Sequence, residues 1–385
     1  MQRRSAPAAD SGRSLSSQSL VAGGQGPPPA ADAPLGERLA WTLRVQADAC
    51  EAMGSSLYAH LLRRAADDAL AGGAVAEVLA DHLAPGRADA LALRLMAAAH
   101  RRVLAGQAPA LAAHYPSAGG DGDAAAAWPA FRELLTDDTD RVNELVALPI
   151  QTNEVGRCAA LVWGMLEVAA TTGTPLRLLE VGSSAGLLLR LDQYRYGGAG
   201  AAWGPADSPV DLTGAWEQVP PAGTGIEVAV TERRGCDPAP VDVSGEEGRL
   251  ALRAAVWADQ TQRLARLETA ITVARRVPVE LTRASVETWL PAVLAEPAPG
   301  VTTVVFHSVV EEYLDADQRA VLHDTMRDAG ARATVDAPVA WLRLEPISRL
   351  RHHGVTLTLW PDSGRERIVA VCGAHGAGVR RPPAR

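Results

Sequence analysis

The sequence predicts an α/β protein, with a mostly parallel sheet covered by helices, ended by an antiparallel hairpin and preceded by a helical N-terminal segment. Three observations predict it. Apolar runs of strand length alternate with helical patterns from about residue 151 onward; one such run breaks at a Gly/Ser turn over residues 182–186; and the last two strand candidates are joined only by Pro361 to Glu366. Alternating strands and helices bury a sheet on both faces. A link that short demands an antiparallel pair.

Residues 1–34 are rich in Ser, Gly, Pro, Ala and Gln. They are expected to stay disordered, because they cannot bury enough apolar surface to offset the entropy of ordering. Over 35–150 the apolar residues recur at helical spacing, as in Leu57, Leu61 and Leu62, then Leu91, Leu95 and Met96. With no alternating run among them, they predict a helical N-terminal domain. The turn-rich stretch from His114 to Asp123 reads as a helix connector.

An α/β domain is expected over 151–378, with a tail at 379–385. Gln151 to Arg157 opens a helix reaching about Ala170, with Asn153 as N-cap and Glu154 in the first turn. The short link to Pro175 makes this helix antiparallel to the strand that follows. Its start therefore returns to the turn, and Asn153, Glu154 and Arg157 become candidates for substrate contact.

The strand from Leu176 ends at Glu180 and Val181. Gly182 and Gly186 let the chain bend sharply, and the leucines up to Arg190 read as a helix whose N–H groups give a weakly positive floor. Ligands of such sheets gather at the carboxyl ends of the strands. Residues 197–225, rich in Trp, Pro and Gly, are too long for an ordinary connection and read as an insertion or lid. Further strands are expected at Ile226–Val230, Val279–Thr282, Val301–His307, Val339–Glu345, Gly354–Trp360 and Arg367–Gly373. Helices lie between them, one over 261–274 with Asp259 as a possible cap. Asp237 or Glu232 is the candidate acid for ribose hydroxyls after the second strand.

Composition excludes several functions. The 45 acidic and 37 basic residues give a net charge of −8, which argues against a nucleic-acid surface. The sequence contains no lysine, so neither a Walker A loop nor a lysine Schiff base is possible. Four scattered cysteines carry no C-x-x-C spacing, so no metal site is indicated. No apolar run of about 18 residues is long enough to cross a bilayer, and no signal-peptide region is visible, so a cytoplasmic protein is expected.

The pattern Glu180-x-Gly182-x-x-x-Gly186 resembles motif I of class I S-adenosylmethionine-dependent methyltransferases. With Gln151 to Cys158, Leu179 to Gly186, Val256 to Gln260 and Val304 to Ser308, the chain is similar to a bacterial domain family of unknown function numbered 2332, over about residues 50–378. The resemblance implies a Rossmann-like core, S-adenosylmethionine as cofactor and a small molecule as acceptor. In it Glu180, Gly182, Ser183, Ser184 and Gly186 hold the amino-acid end and sugar of the donor, and Asp237 takes the ribose. His307, at the mouth of the fourth strand, is the candidate general base. Two positions depart from the pattern: Ser184 stands where glycine is common, and Arg283-Ala-Ser285 lacks the acid often found beside the adenine. Two other readings use the same residues. One is a non-catalytic or other nucleotide-binding protein of this fold. The other is a serine hydrolase, since Gly182 to Gly186 fits G-x-S-x-G with Ser184 as nucleophile, and His352, His353, His375 and Asp336 as possible partners.

Overall fold

The computed structural model describes residues 26–83, 90–350 and 352–383. Of the expected leader, residues 1–25 lie outside the described residues. Among those described, ten strands form two sheets. The small one joins β2 (Arg195–Gly198), β3 (Ala201–Trp203) and β4 (Asp211–Thr213) in the order β3-β2-β4. The large one holds β1 (Leu176–Val181), β5 (Val230–Asp237), β6 (Glu280–Arg283), β7 (Thr302–Ser308), β8 (Val339–Ile347), β9 (His352–Trp360) and β10 (Arg367–Cys372). Its order is β10-β9-β8-β7-β1-β5-β6.

Strands β6, β5, β1, β7 and β8 run parallel, and β9 and β10 each run antiparallel to the strand before them. The chain moves outward from β1 through β5 to β6, then returns to build the other half from β7. The order reverses between β1 and β7, the switch point at which sheets of this kind open a crevice. The expected terminal hairpin is present. Within it β9 takes the inner place beside β8 and β10 lies at the edge of the sheet. Ile347 pairs directly with His352 across the β8–β9 turn, which leaves no length for a crossover.

Helices cover both faces. On one, α8 (Cys158–Thr172) and α10 (Thr261–Ala274) pack on Leu178, Val304, Phe306 and Leu342. On the other, α11 (Val286–Val293) and α12 (Ala316–Arg332) pack on Leu179, Val305 and Trp341. Helix α8 lies so close to the sheet that a Cβ on Gly164 would come within 2.4 Å of Leu342. Before these, α1 (Leu35–Ala52), α2 (Ser56–Leu70), α3 (Ala74–Leu79), α4 (Leu91–Leu104), α5 (Pro109–Ala112), α6 (Ala124–Asp137) and α7 (Thr139–Val146) gather around Leu43, Tyr58, Leu62, Leu95 and Phe131. Trp257 and Ala258, which follow α9 (Glu246–Ala255), insert into the same apolar cluster. Asp259 does not cap α10. Its carboxylate accepts from Ser55 Oγ at 2.6 Å and Leu57 N at 3.1 Å, tying the start of α2 to this loop.

Three local expectations change. First, α8 starts at Cys158 after a single 3₁₀ turn over 155–157, and it is that turn which is capped, by Glu154 rather than Asn153, accepting from Gly156 N at 3.0 Å. Second, the leucine-rich segment after the glycine turn is a kinked 3₁₀ run over 188–193, not an α-helix. Side chains claim the carbonyls an α-helix would use: Arg190 donates to Ala185 O and Gly186 O, Tyr194 to Leu187 O, and Tyr196 to Leu191 O. No helix N-terminus therefore faces the turn. Third, residues 197–225 pack beside α8 instead of over the strand ends, with Trp216 Nε1 donating to Ala159 O at 2.9 Å. The expected tail continues this layer, because Val379 is buried and hydrogen-bonds with Ala215 and Glu217.

Candidate functional site

At the carboxyl ends of β1, β5, β6 and β7 lies a cavity of about 410 Å³, within the range of small-molecule sites. It spans the switch point. One half, over β1, β5 and β6, is walled by Val181, Ser184, Asp237, Pro238, Ala284 and Val286; the other, toward β9 and β10, by Arg157, Ser308, His353 and His375.

The turn after β1 needs its glycines, with φ of +69° at Gly182 and +65° at Gly186. Ser184 takes φ +49° without being glycine, which costs on the order of 1–2 kcal/mol. The turn's N–H groups are used within the protein. Gly182 N and Ser183 N donate to Cys236 O at 2.9 and 3.0 Å, and Gly186 N donates to Ser183 O. Ser184 N donates to Asp237 Oδ2 at 2.9 Å, and Leu187 N to Asn153 Oδ1 at 2.9 Å. Gly182 is closed off by Val310, whose Cγ2 would lie 2.6 Å from a Cβ there, and Gly186 faces Leu281 and Val279 of the sheet. These two glycines shape the turn by packing.

Asp237 ends β5 and lines the cavity with Ser184. Its Oδ1 accepts from Ala239 N at 2.8 Å and its Oδ2 from Ser184 N. A carboxylate has about four lone-pair sites, so two remain. Ser184 Oγ is buried on the cavity wall without a hydrogen-bond partner. Ser183 Oγ is also unpartnered but packs on Gly235. Glu180 lies outside the cavity lining, in the buried space around Cys158 and Arg190, with Oε2 unpartnered. Burial, and then the Asp237 charge, push its carboxyl well above the ordinary range.

Of the three polar residues before α8, only Arg157 lines the cavity. Asn153 holds the turn, and Glu154 is buried against Arg263, which donates Nε at 2.6 Å and Nη2 at 2.5 Å. Burial opposes the charge, but Arg263, His375 and Arg157 hold the Glu154 carboxyl down to about 2.

His307 is not at the site. Along β7 successive side chains alternate between faces, and His307 follows Val305 toward α12 while Ser308 takes the cavity side. His307 is fully buried and its Nδ1 donates to Glu345 Oε1 at 2.7 Å. That oxygen also accepts from Val310 N at 2.9 Å and Glu311 N at 3.4 Å. The histidine thus braces the loop that carries Val310.

Four further cavity residues come from elsewhere in the chain, two of which, His353 and His375, the sequence offered only as possible partners of Ser184. Trp257 and Arg263 arrive before and within α10, His353 is the second residue of β9, and His375 follows β10. The Arg263 guanidinium lies 5.5 Å from the Trp257 ring centre, and the His375 ring meets that tryptophan edge-on at 5.3 Å. Burial, then Arg157, lowers the His353 imidazole to about 3; burial, then Arg263, does the same to His375. Both are neutral near pH 7. Ser184 hydrogen-bonds to neither, and Asp336 sits at the opposite, amino ends of the strands, before β8, where its carbonyl accepts from Gly300 N. Ser184 Oγ has no hydrogen-bonded base among the described residues.

The fold and site define a mixed α/β protein with a small-molecule-sized cavity at the switch point of its sheet. The chain belongs to the bacterial family described as "Uncharacterized protein conserved in bacteria (DUF2332)", whose model matches residues 40–381. No curated protein and no solved structure matches it. No helix among the described residues is long and apolar enough to cross a membrane, and no group of three or more His, Cys, Asp or Glu there is arranged to hold a metal ion.

Proposed function

We propose that the protein is an S-adenosylmethionine-dependent methyltransferase acting on a small molecule. The observation that carries this reading is the juxtaposition of Asp237 and Ser184 on one wall of a cavity at the switch point. The sheet is then Rossmann-like, with residues 35–150 as a helical domain attached to it.

The residues fit the nucleoside part of the donor. Asp237 keeps two lone pairs for ribose hydroxyls, the unpartnered Ser184 Oγ offers a further polar contact, and Pro238, Ala284 and Val286 give an apolar wall for the base. The bound donor supplies a methyl group on a sulfonium, open to attack by an acceptor nucleophile. Glu180, Gly182, Ser183 and Gly186 contribute by shaping the turn. His307 acts through Glu345 to hold the 309–311 loop, and the neutral imidazoles of His353 and His375 take its place as cavity bases.

One observation favours a second reading, a nucleoside-binding protein without methyl transfer: the turn's N–H groups are already bonded within the chain. Calorimetric titration with S-adenosylhomocysteine and with adenosine separates the two. Micromolar binding of S-adenosylhomocysteine, at least tenfold tighter than adenosine and lost in Ala284→Trp, supports the methyltransferase. Equal affinities favour the nucleoside binder, and no binding of either compound by folded protein overturns both.

A further inference from the structure

We infer that the half of the cavity over β7, β9 and β10 is a carboxylate-binding subsite, built by Arg157 and His353 with His375 beside them, for an apolar organic acid. Naming that acid the methyl acceptor rests on the methyltransferase reading; the subsite itself does not.

Arg157 is held rigidly by neutral oxygens. Its Nε donates to Ala374 O at 3.1 Å, and its Nη1 to Ser308 O and Ser308 Oγ at 3.3 and 3.2 Å. Nη2 is left over. Among the described residues no carboxylate lies within 4.0 Å of this guanidinium. Glu154 is paired with Arg263, and Glu312 lines the same cavity. A partly buried cation without a counter-ion is costly, and a bound anion relieves that cost.

His353 adds the second element. It is 4% exposed and lines the cavity, and its Nε2 has no hydrogen-bond partner. A neutral imidazole can donate one N–H to an anion without adding charge. The subsite therefore offers a guanidinium with no salt-bridge partner and a neutral donor, which matches a monoanionic carboxylate better than a phosphate dianion. Around it Met53, Ile150 and Trp257 are apolar, and Tyr313, 46% exposed, belongs to the same wall. The ligand's remainder is thus apolar or aromatic. Its place is across the switch point from Asp237, so a nucleoside and this acid can be bound together.

Phenylacetate serves as the probe, with phenylacetamide and inorganic phosphate alongside, in calorimetric titrations of the full-length protein. The expected result is saturable binding of phenylacetate, at least tenfold tighter than either comparison compound and weakened about tenfold or more in Arg157→Gln. In the wild type, binding should raise the imidazole pKa of His353 and His375 in NMR titrations. That readout does not depend on the variant folding. Phenylacetate should also bind unchanged in the presence of adenosine. Equal binding of phenylacetamide, or unmoved imidazoles, overturns the inference. So does competition by S-adenosylhomocysteine where adenosine does not compete, because Arg157 would then hold the donor's own carboxylate. Phenylacetate binding by a protein that binds neither S-adenosylhomocysteine nor adenosine would leave the subsite standing and overturn the methyltransferase reading.

Discussion

Val310 occupies the space directly before Gly182, with its Cγ2 2.6 Å from where a Cβ would stand. The turn after β1 and the loop after β7 are therefore fitted to each other across the switch point. Gly182→Ala should lose stability from two causes, the clash with Val310 and a side chain at φ +69°. The expected loss is about 2–4 kcal/mol, read from urea midpoints. Adding Val310→Ala should restore only the steric part. Full restoration would mean that the left-handed backbone carries no cost there.

His307 and Glu345 brace the same loop from beneath. His307→Leu should lower stability by about 1–3 kcal/mol by leaving Glu345 short of a donor. It should change the affinity for S-adenosylhomocysteine by less than about threefold, because the ring lies off the cavity. A folded variant that loses tenfold or more in affinity would return His307 to the site.

Arg263 and Glu154 form a buried pair, with side chains 10% and 4% exposed. Arg263→Met removes the nearest counter-charge of a buried carboxylate, leaving only Arg266 at 4.0 Å, and should cost about 3–5 kcal/mol. Glu154→Leu on that background should recover a large part of it. If the double variant is no more stable than Arg263→Met, the pair is not what Arg263 contributes.

Acid should destabilise the protein in two steps. The His353 and His375 imidazoles have folded values near 3 against an ordinary 6.5. Between these values the unfolded chain binds protons that the folded chain refuses, so stability falls as pH drops through that window. Glu154, near 2 against an ordinary 4.5, contributes stability that is present above 4.5 and lost as pH falls toward 2. Urea midpoints measured from neutral pH downward should fall already above pH 4.5, and His353→Gln with His375→Gln should flatten that first decline. An unchanged slope in the double variant would place the early loss elsewhere.

The turn at 182–186 was legible because its backbone needs φ > 0 at Gly182 and Gly186, and Asp237 because an acid ending the strand beside β1 has a recurrent place in such sheets. The placement of His307 was not. Strand β7 is buried on both faces, so its sequence carries no polar–apolar alternation to say which side a residue takes. Arg263 gave no signal, and His353 and His375 read only as possible partners of Ser184, because the three meet only after β9 and β10 have paired and α10 has packed. The segment after Gly186 read as helix from its leucines. Local propensity lost there to Arg190, Tyr194 and Tyr196, whose side chains bond the carbonyls. The strand at β5 begins where its apolar run ends, since Arg233 and Arg234 are satisfied by Asp192, Glu232 and Glu280 and can lie in the sheet.

The small sheet at β2–β4 is stapled to the large one by residues from far along the chain: Trp216 bridges to Val379, and Arg380 reaches both Val371 and Glu217, the latter 163 positions away. Such a contact sets a timetable for synthesis. A ribosome delivers Tyr196, Trp203 and Trp216 long before the residues that finish their layer, so this aromatic patch must wait, uncovered along one side, until synthesis has passed Arg380.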